Sequence, residues 1–199
     1  SINLTKEIEN ADENLERVQT KAKEPMLIYF TSGTTGYPKA VMRNHTYTLA
    51  HIVTAKFWQN VKENGLHLTV AETGWGKASW GKIYGQWLCG CGVMVYDFDI
   101  FSPEKLLKVI EDFKVTSFCA PPTVYRYFIK KDMKKFDLSH LEHITTAGEA
   151  LNPEVFEQVH KQTGLQIMEG FGQTESVLML GNLVGSTVHS ASPHPFIIL

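Results

Sequence analysis

The chain has 199 residues, which is enough for one sizeable hydrophobic core and, at about 150 residues per domain, for one domain or a little more. Hydrophobic residues make up 43% and charged residues 20%, with a formal net charge of -2. This composition is typical of a globular protein, and the charge gives no reason to expect nucleic acid as a partner. No apolar run approaches the roughly 20 residues of a membrane span. The N-terminus has no apolar signal region, so a cytoplasmic location is the default expectation, and an organellar matrix is left open.

The N-terminal part of the chain predicts a helix followed by a strand. Apolar residues recur there at helical spacing, namely Leu4, Ile8, Ala11, Leu15 and Val18. They predict an amphipathic helix that ends before Pro25. The apolar run 26–30 predicts a buried strand, and residues 40–42 a second one. Asn44 is a good candidate to cap a helix that runs to about Asn60.

Beyond residue 65, short apolar runs alternate with helix-forming stretches. The predicted strands are 66–71, 93–96, 115–120, 143–147 and 165–168. The predicted helices are 83–89, 102–113, 123–129 and 152–164. This alternation favours an α/β fold with a mainly parallel sheet and flanking helices. In such folds ligands bind beyond the carboxyl ends of the strands. The candidate loops are 31–39, 72–82, 120–124, 147–151 and 169–175.

Cysteine and histidine offer little chemistry. The cysteines are Cys89, Cys91 and Cys119. Their odd number argues against a disulfide framework, and no second pair at zinc-ligand spacing accompanies the first two. Three histidines, His45, His51 and His67, are scattered among predicted helical and strand positions. No Gly-x-Ser-x-Gly elbow accompanies them, so they are interpreted as structural residues.

The first loop combines hydroxyls, glycines and a lysine after an apolar strand. It reads Thr31, Ser32, Gly33, Thr34, Thr35, Gly36, Tyr37, Pro38 and Lys39. The glycines let the backbone turn and present N–H groups, the hydroxyls can donate to phosphate oxygens, and Lys39 adds a positive charge. These properties favour a polyphosphate cradle over a ligand-free Gly/Thr-rich hairpin.

The chain contains no Walker A loop. Lys39 is not followed by the Ser or Thr that such a loop needs to bind magnesium. Residues 76–82 have the G-x-x-x-x-G-K spacing, but Ile83 stands where the hydroxyl belongs. The tryptophans Trp75 and Trp80 in that loop favour apolar binding instead.

Three ordered motifs carry a resemblance to a known family. Residues 31–39 resemble the signature phosphate loop of the AMP-binding, adenylate-forming superfamily, which includes acyl-CoA synthetases, firefly-type luciferases and peptide-synthetase adenylation domains. Residues 169–175, Glu-Gly-Phe-Gly-Gln-Thr-Glu, are similar to its aromatic-Gly-x-Thr-Glu motif. Residues 145–150, together with Pro153 and Glu154, resemble its Gly-Glu segment that contacts adenine.

Two further stretches narrow the resemblance. Residues 72–75 and 120–126 resemble acetyl- and medium-chain acyl-CoA synthetases more than luciferases or peptide-synthetase domains. The implied fold is part of the large N-terminal domain of the adenylate-forming fold. The implied reaction is that of a ligase in fatty acid metabolism. ATP activates a small carboxylate to an acyl-adenylate, and coenzyme A then accepts the acyl group.

The resemblance also implies roles for individual residues. The β- and γ-phosphates of ATP would be held by Thr31, Ser32, Gly33, Thr34, Thr35, Gly36 and Lys39. The adenine would be bordered by Gly148, Glu149 and Ala150. Further nucleotide contacts would come from Glu169, Gly170, Phe171, Gly172, Gln173 and Thr174. The implied catalytic residues are Lys39, Thr174 and Glu175. Thr174 would donate to the α-phosphate, and Glu175 would bind Mg²⁺, with a solvated loop carboxylate as the alternative.

An acyl pocket is also implied. Its candidate residues are Trp75, Pro122 and Gly172. For Trp75, a place in the pocket and a place in the core are equally compatible with the sequence, because pockets are themselves mostly apolar.

Some parts of the family pattern are not found in these 199 residues. The family's Thr-Gly-Asp motif, whose Asp binds the ribose, and its C-terminal domain with a catalytic lysine do not occur. We therefore expect residues 1–187 to form a partial AMP-binding domain and 188–199 to form an atypical tail. A non-catalytic nucleotide-binding fragment is the alternative to an enzyme. A partner that covers an exposed edge of the core is a further expectation.

Overall fold

The structure is a computed structural model, and it describes residues 3–31, 36–72, 74–185 and 197–198. The helices are α1 (Leu4–Glu9), α2 (Thr46–Phe57), α3 (Gly76–Trp80), α4 (Tyr84–Leu88), α5 (Pro103–Asp112), α6 (Pro122–Phe128) and α7 (Pro153–Thr163), with a single 3-10 turn at Met133–Lys135. The strands are β1 (Pro25–Thr31), β2 (Lys39–Asn44), β3 (Leu66–Thr69), β4 (Gly92–Met94), β5 (Ser117–Cys119), β6 (His143–Ala147), β7 (Ile167–Gln173), β8 (Val177–Gly181) and β9 (Ile197–Ile198).

A seven-stranded, mostly parallel sheet organises the chain. Its strand order is β4-β3-β5-β6-β7-β8-β9. The first five strands are parallel, and β8 and β9 are added antiparallel beside β7. The central strands β5 and β6 are buried along their whole length, as expected when helices cover a parallel sheet. The predicted α/β fold with a mainly parallel sheet and flanking helices is confirmed.

Local signals in the sequence explain where the flanking helices begin and end. The side chain of Ser102 accepts a hydrogen bond from the Lys105 amide at the start of α5. Asn152 does the same for the Glu154 amide at the start of α7, and proline occupies the first position of both helices. Gly164 ends α7 with a φ of 77°, a left-handed conformation that glycine adopts without strain. The sequence predictions for these two helices are confirmed.

One hydrophobic core lies between the sheet and helices α5, α6 and α7. Its fully buried members include Leu68, Leu107, Phe118, Phe128, Ile144, Val159 and Ile167. Phe118 lies beside Leu68 on one side and Ile144 on the other, through the register of the parallel strands. This packing brings the carboxyl ends of β3, β5, β6 and β7 to one edge of the sheet.

The predicted N-terminal helix is shorter than the sequence indicated. It ends at Glu9, and the apolar residues beyond it do not pack, since Leu15 is 90% exposed and Val18 is 76% exposed. A short amphipathic segment is only marginally helical in water unless its apolar face is buried. The predicted helix up to Pro25 is therefore wrong beyond its first two turns.

Matched leucine substitutions test this distribution of burial. Leu107→Ala removes a side chain that is 0% exposed and should cost about 2–5 kcal/mol of unfolding free energy. Leu15→Ala should change it by less than about 0.5 kcal/mol. Urea unfolding followed by circular dichroism measures both. Equal destabilisation by the two variants would contradict the exposed position of Leu15.

The strand predicted over residues 26–30 exists, but it is not buried and does not join the large sheet. β1 pairs antiparallel with β2 in a separate two-stranded hairpin. Ile28 is 52% exposed and Phe30 is 72% exposed. An apolar run has the same local pattern in a central strand and in an exposed hairpin, so only the tertiary fold distinguishes the two.

Two of the predicted loops contain regular structure. Helix α3 lies within the predicted loop 72–82, and β7 runs through residues 169–173 of the predicted loop 169–175. The second difference arises because β8, which was not predicted, extends the backbone pairing of β7. Within the described residues, none of the helices has the length and apolar character needed to cross a membrane.

Candidate active site

A cavity of about 610 Å³ lies where the hairpin, the start of α3 and the end of β7 meet. Its lining residues are Tyr29, Phe30, Thr31, Lys39, Gly74, Trp75, Gly76, Gln173, Thr174 and Glu175. The three implied catalytic residues Lys39, Thr174 and Glu175 are all among them. The cavity therefore brings together side chains that are far apart in the sequence.

The hairpin forms the first wall. Thr31 and Lys39 are directly paired at the loop end of the hairpin, so the two ends of the predicted phosphate loop lie side by side. Gly36 has a φ of 113°, which is accessible to glycine and strained for other residues. Ser32, Gly33, Thr34 and Thr35, the remaining implied phosphate contacts, lie outside the described residues.

The connection from β7 to β8 forms the second wall. A register shift lies between Phe171 and Gly172, and a Cβ on Gly172 would lie 1.7 Å from the carbonyl oxygen of Val177. Only glycine fits such a close backbone approach. The Ser176 amide donates to the Gln173 carbonyl at 3.2 Å and closes the turn that carries Thr174 and Glu175. The turn therefore presents both residues to the cavity.

Among the nucleotide contacts implied for residues 169–175, Glu169, Gly170 and Phe171 do not line the cavity. Phe171 is 52% exposed and Gly170 is buried, its Cα facing Trp58, and neither lines the cavity. The Glu169 carboxylate accepts from the Leu151 amide at 3.2 Å, and its own amide donates to Asn182 at 3.1 Å. Through its hydrogen bond with Leu151, Glu169 connects β7 to the segment before α7.

Arg43 joins the two walls, and sequence reasoning missed it. Its Nη2 donates to the Thr174 carbonyl oxygen at 2.5 Å, and its guanidinium lies 5.0 Å from the centre of the Tyr47 ring. An arginine directly after the apolar residues 40–42 was the available signal. Its partner is 131 residues away in the chain, and no local pattern identifies it.

Trp75 lies on the cavity wall at the start of α3. It is 59% exposed, so the interpretation as a core residue is wrong. Two contacts hold α3 in place. The Ser79 hydroxyl hydrogen-bonds to the Tyr29 hydroxyl, and Lys77 donates to the Ala147 carbonyl at 3.4 Å. The other two acyl-pocket candidates, Pro122 and Gly172, do not line this cavity.

A buried polar cluster supports the end of α3. The Gly81 carbonyl oxygen accepts from Gln59 Nε2 at 2.9 Å and from Thr69 Oγ1 at 2.7 Å. The two ring nitrogens of His67 lie 2.7 Å from the hydroxyls of Ser117 and Thr69. Burial lowers the pKa of His67 to about 3, from an ordinary value near 6.5. This neutral cluster ties the connection between α3 and α4 to the sheet.

The lowered pKa of His67 predicts a loss of stability in acid. In the unfolded chain the His67 ring binds a proton below about pH 6.5. In the folded chain it binds one only below about pH 3. Unfolding free energy should therefore fall as the pH drops through this window, by up to about 1.4 kcal/mol per pH unit from this group. His67→Asn should flatten the curve of unfolding free energy against pH between about pH 6.5 and 4.

His140→Asn, a change at an exposed histidine, is the matched control and should leave the curve unchanged. Parallel curves for the wild type and His67→Asn would contradict the neutral, buried state of His67. The experiment compares the slopes of unfolding free energy against pH. An unrelated effect of the asparagine on stability at high pH therefore does not affect the comparison.

The implied adenine segment, residues 148–150, is exposed beside the cavity but does not line it. Gly148 has a φ of 106°, which favours glycine. The Glu149 carboxylate forms an ion pair with Arg126 of α6 and accepts from the Thr123 hydroxyl at 3.0 Å. The side chain of Glu149 is thus held by α6.

The described residues contain no cluster of three or more His, Cys, Asp or Glu side chains that could hold a metal ion. Mg²⁺ that arrives with a nucleotide does not need such a cluster, because one or two carboxylates suffice when phosphates and water supply the other ligands. Glu175 is exposed on the cavity wall and offers hard oxygen ligands. The residues present are compatible with Mg²⁺ bound in this way.

Comparison with known proteins assigns this chain to a family. The family model described as "AMP-binding enzyme" matches residues 2–195. The chain belongs to the AMP-binding enzyme family. Among its curated relatives, the human mitochondrial acyl-coenzyme A synthetase ACSM4 is 38% identical over 183 residues, which are 92% of this chain and 32% of that protein. Mouse mitochondrial acyl-coenzyme A synthetase ACSM3 is 38% identical over 191 residues, 96% of this chain and 33% of the relative.

Solved structures agree with this assignment. A Brucella canis acyl-CoA synthetase has a TM-score of 0.84 at 25% identity, covering 92% of this chain and 34% of that one. The anthranilate CoA ligase AuaEII, solved with anthranoyl-AMP, has a TM-score of 0.82 at 24% identity, covering 94% of this chain and 36% of that one. The resemblance to adenylate-forming acyl-CoA synthetases is confirmed. The chain spans about a third of the length of the relatives it matches.

Proposed function

We propose that this chain provides the nucleotide- and carboxylate-binding surface of a ligase that activates a carboxylic acid with ATP and passes it to coenzyme A. One observation carries the proposal. Lys39, at the end of the phosphate loop, and Glu175, in the second motif, line the same cavity of about 610 Å³. A lysine and a carboxylate across such a cavity suit a polyphosphate with its bound cation.

Each wall has a proposed role in holding ATP. The hairpin loop that ends at Lys39 binds the β- and γ-phosphates through backbone amides, hydroxyls and the lysine charge. Thr174 donates to the α-phosphate from the opposite wall. Glu175 would bind Mg²⁺, which when present neutralises phosphate charge. Segment 148–150 borders the adenine, beside the end of β6.

The reaction needs positioning more than covalent chemistry from the protein. A carboxylate oxygen of the substrate attacks the α-phosphorus of ATP, the bond to the bridging oxygen breaks, and pyrophosphate leaves. The resulting acyl-adenylate is a mixed anhydride, and the thiolate of coenzyme A displaces AMP from it. The residues of the two walls hold the phosphates in line with the acid and stabilise the crowded negative charge.

We propose a short- or medium-chain acid as substrate. Trp75, Tyr29 and Phe30 make one part of the cavity aromatic, and apolar surface suits an alkyl or aryl group. The similarity of residues 72–75 and 120–126 to acetyl- and medium-chain synthetases supports the same class. The mitochondrial designation of the relatives favours an organellar over a cytoplasmic location for this activity.

A second candidate function is nucleotide binding without catalysis. It concerns the 199 residues taken alone, which contain no Thr-Gly-Asp motif and span about a third of the length of the relatives. The assignment of residues 1–187 to a partial AMP-binding domain, and of 188–199 to a tail, is part of this proposal.

The two candidates are separated by assays on the 199-residue chain. We expect saturable, magnesium-dependent binding of ATP by calorimetry, weakened about tenfold by Lys39→Met, because the lysine charge is lost. With ATP, coenzyme A and butyrate to decanoate, we expect no acyl-CoA, because the in-line geometry needs the ribose to be anchored. No binding of MgATP at millimolar concentration would overturn the proposed nucleotide site, and rapid thioester formation would show that the catalytic groups lie within this chain.

A further inference from the structure

Arg43 is placed to control the spacing of the two walls of the cavity. It lies in β2, four residues after Lys39, and reaches across to the Thr174 carbonyl oxygen at 2.5 Å. Thr174 is next to Glu175 in the turn that follows β7. One side chain thus connects the strand that carries the proposed phosphate-binding lysine to the turn that carries the proposed magnesium ligand.

The guanidinium is itself held in place. It lies over the ring of Tyr47, which is 8% exposed, at 5.0 Å from the ring centre. Tyr47 in turn contacts Tyr29 of β1 edge to face, at 6.2 Å between ring centres. Arg43 Nε is buried without a hydrogen-bond partner among the described residues. The guanidinium is therefore held between the ring of Tyr47 and the Thr174 carbonyl oxygen.

The turn needs such an anchor. Residues Thr174 and Glu175 leave the sheet between β7 and β8, and Glu175 is exposed. Without a fixed carbonyl, the turn would have to become ordered when the ligand binds, and that ordering reduces affinity. A charged donor makes a stronger hydrogen bond to a carbonyl oxygen than a neutral one.

We propose that Arg43 is a positioning residue for the nucleotide site, which sets the position of Thr174 and Glu175 relative to Lys39 through the Thr174 carbonyl. The inference rests on the proposed function of the cavity. Arg43 does not line the cavity, so it acts through the turn and does not contact the phosphates.

The test combines substitution with a double-mutant cycle on the 199-residue chain. We expect Arg43→Met to weaken MgATP binding about tenfold in calorimetry, and Arg43→Lys to recover part of the loss, because it keeps a charged donor. In a Glu175→Gln background the effect of Arg43→Met should shrink to about twofold or less, because the displaced ligand is already absent. Arg17→Met, at an exposed arginine outside the cavity, is the matched control and should bind as the wild type does.

A second readout does not depend on the ligand. Hydrogen exchange at the amides of residues 174–176 should become faster in Arg43→Met, while exchange in the hairpin of β1 and β2 stays at its wild-type rate. Wild-type affinity in Arg43→Met, or the same loss with and without Glu175, would overturn the inference while leaving the proposed function intact. If Arg43→Met does not fold, Arg43→Gln, which removes the charged donor but keeps a polar side chain, provides the same comparison. A wild-type chain that binds no MgATP would overturn the proposed function, and this inference with it.

Discussion

Glu175→Gln is expected to weaken the binding of MgATP by about a hundredfold, which corresponds to about 2.7 kcal/mol. Glu175 lines the same cavity as Lys39 of the hairpin. Glutamine preserves the shape of the side chain and removes its charge, so a metal bound to the phosphates would lose its anionic protein ligand. Calorimetric titration of the purified chain with ATP, in magnesium and again in excess chelator, measures the change.

The comparison between the two titrations decides the role of Glu175. In chelator the variant should bind ATP as well as the wild type or better, since a carboxylate repels unneutralised phosphates. Glu157→Gln, at an exposed position on α7 outside the cavity, should have no effect in either condition. If Glu175→Gln weakened binding equally with and without magnesium, the metal role would be wrong.

Gly85→Ala is expected to destabilise the fold by about 2–3 kcal/mol, because α2 and α4 pack together with no space for a methyl group at this glycine. A Cβ on Gly85 would lie 2.2 Å from the His51 carbonyl oxygen and 2.7 Å from the Ala55 side chain. Backbone atoms in α2 cannot give way as the end of a flexible side chain can. The higher helix propensity of alanine offsets about 1 kcal/mol at most.

Urea unfolding measures this effect, and Gly74→Ala is the matched control. A Cβ on Gly74 meets nothing within 4 Å, so its unfolding free energy should change by less than about 0.5 kcal/mol. The same urea midpoint for Gly85→Ala and the wild type would show that the two helices can separate at little cost. Helix α3 leads into α4, and the start of α3 lines the cavity. The position of α3 would then be less restricted than the packing indicates.

Local chemistry explains the features that the sequence predicted. Ser102 and Asn152 cap their helices with their own side chains, and Gly164 ends α7 through a conformation that glycine alone adopts freely. The alternation of short apolar runs with such helices predicted a mainly parallel sheet. The motifs at 31–39 and 169–175 marked the segments that contribute Thr31, Lys39, Gln173, Thr174 and Glu175 to the cavity lining, because phosphate binding needs a particular set of residue types close together in the chain.

The sequence by itself determined the family resemblance, the fold class and the boundaries of α5 and α7, since each depends on residues that are near one another in the chain. Only the tertiary structure decided which apolar runs are buried, because the partly exposed run 26–30 is more apolar than the fully buried strand β5. It also decided that Trp75 faces a cavity and that Arg43 meets Thr174, 131 residues away. Contacts of that kind depend on how whole elements pack, and a local pattern holds no information about the partner that packing will supply.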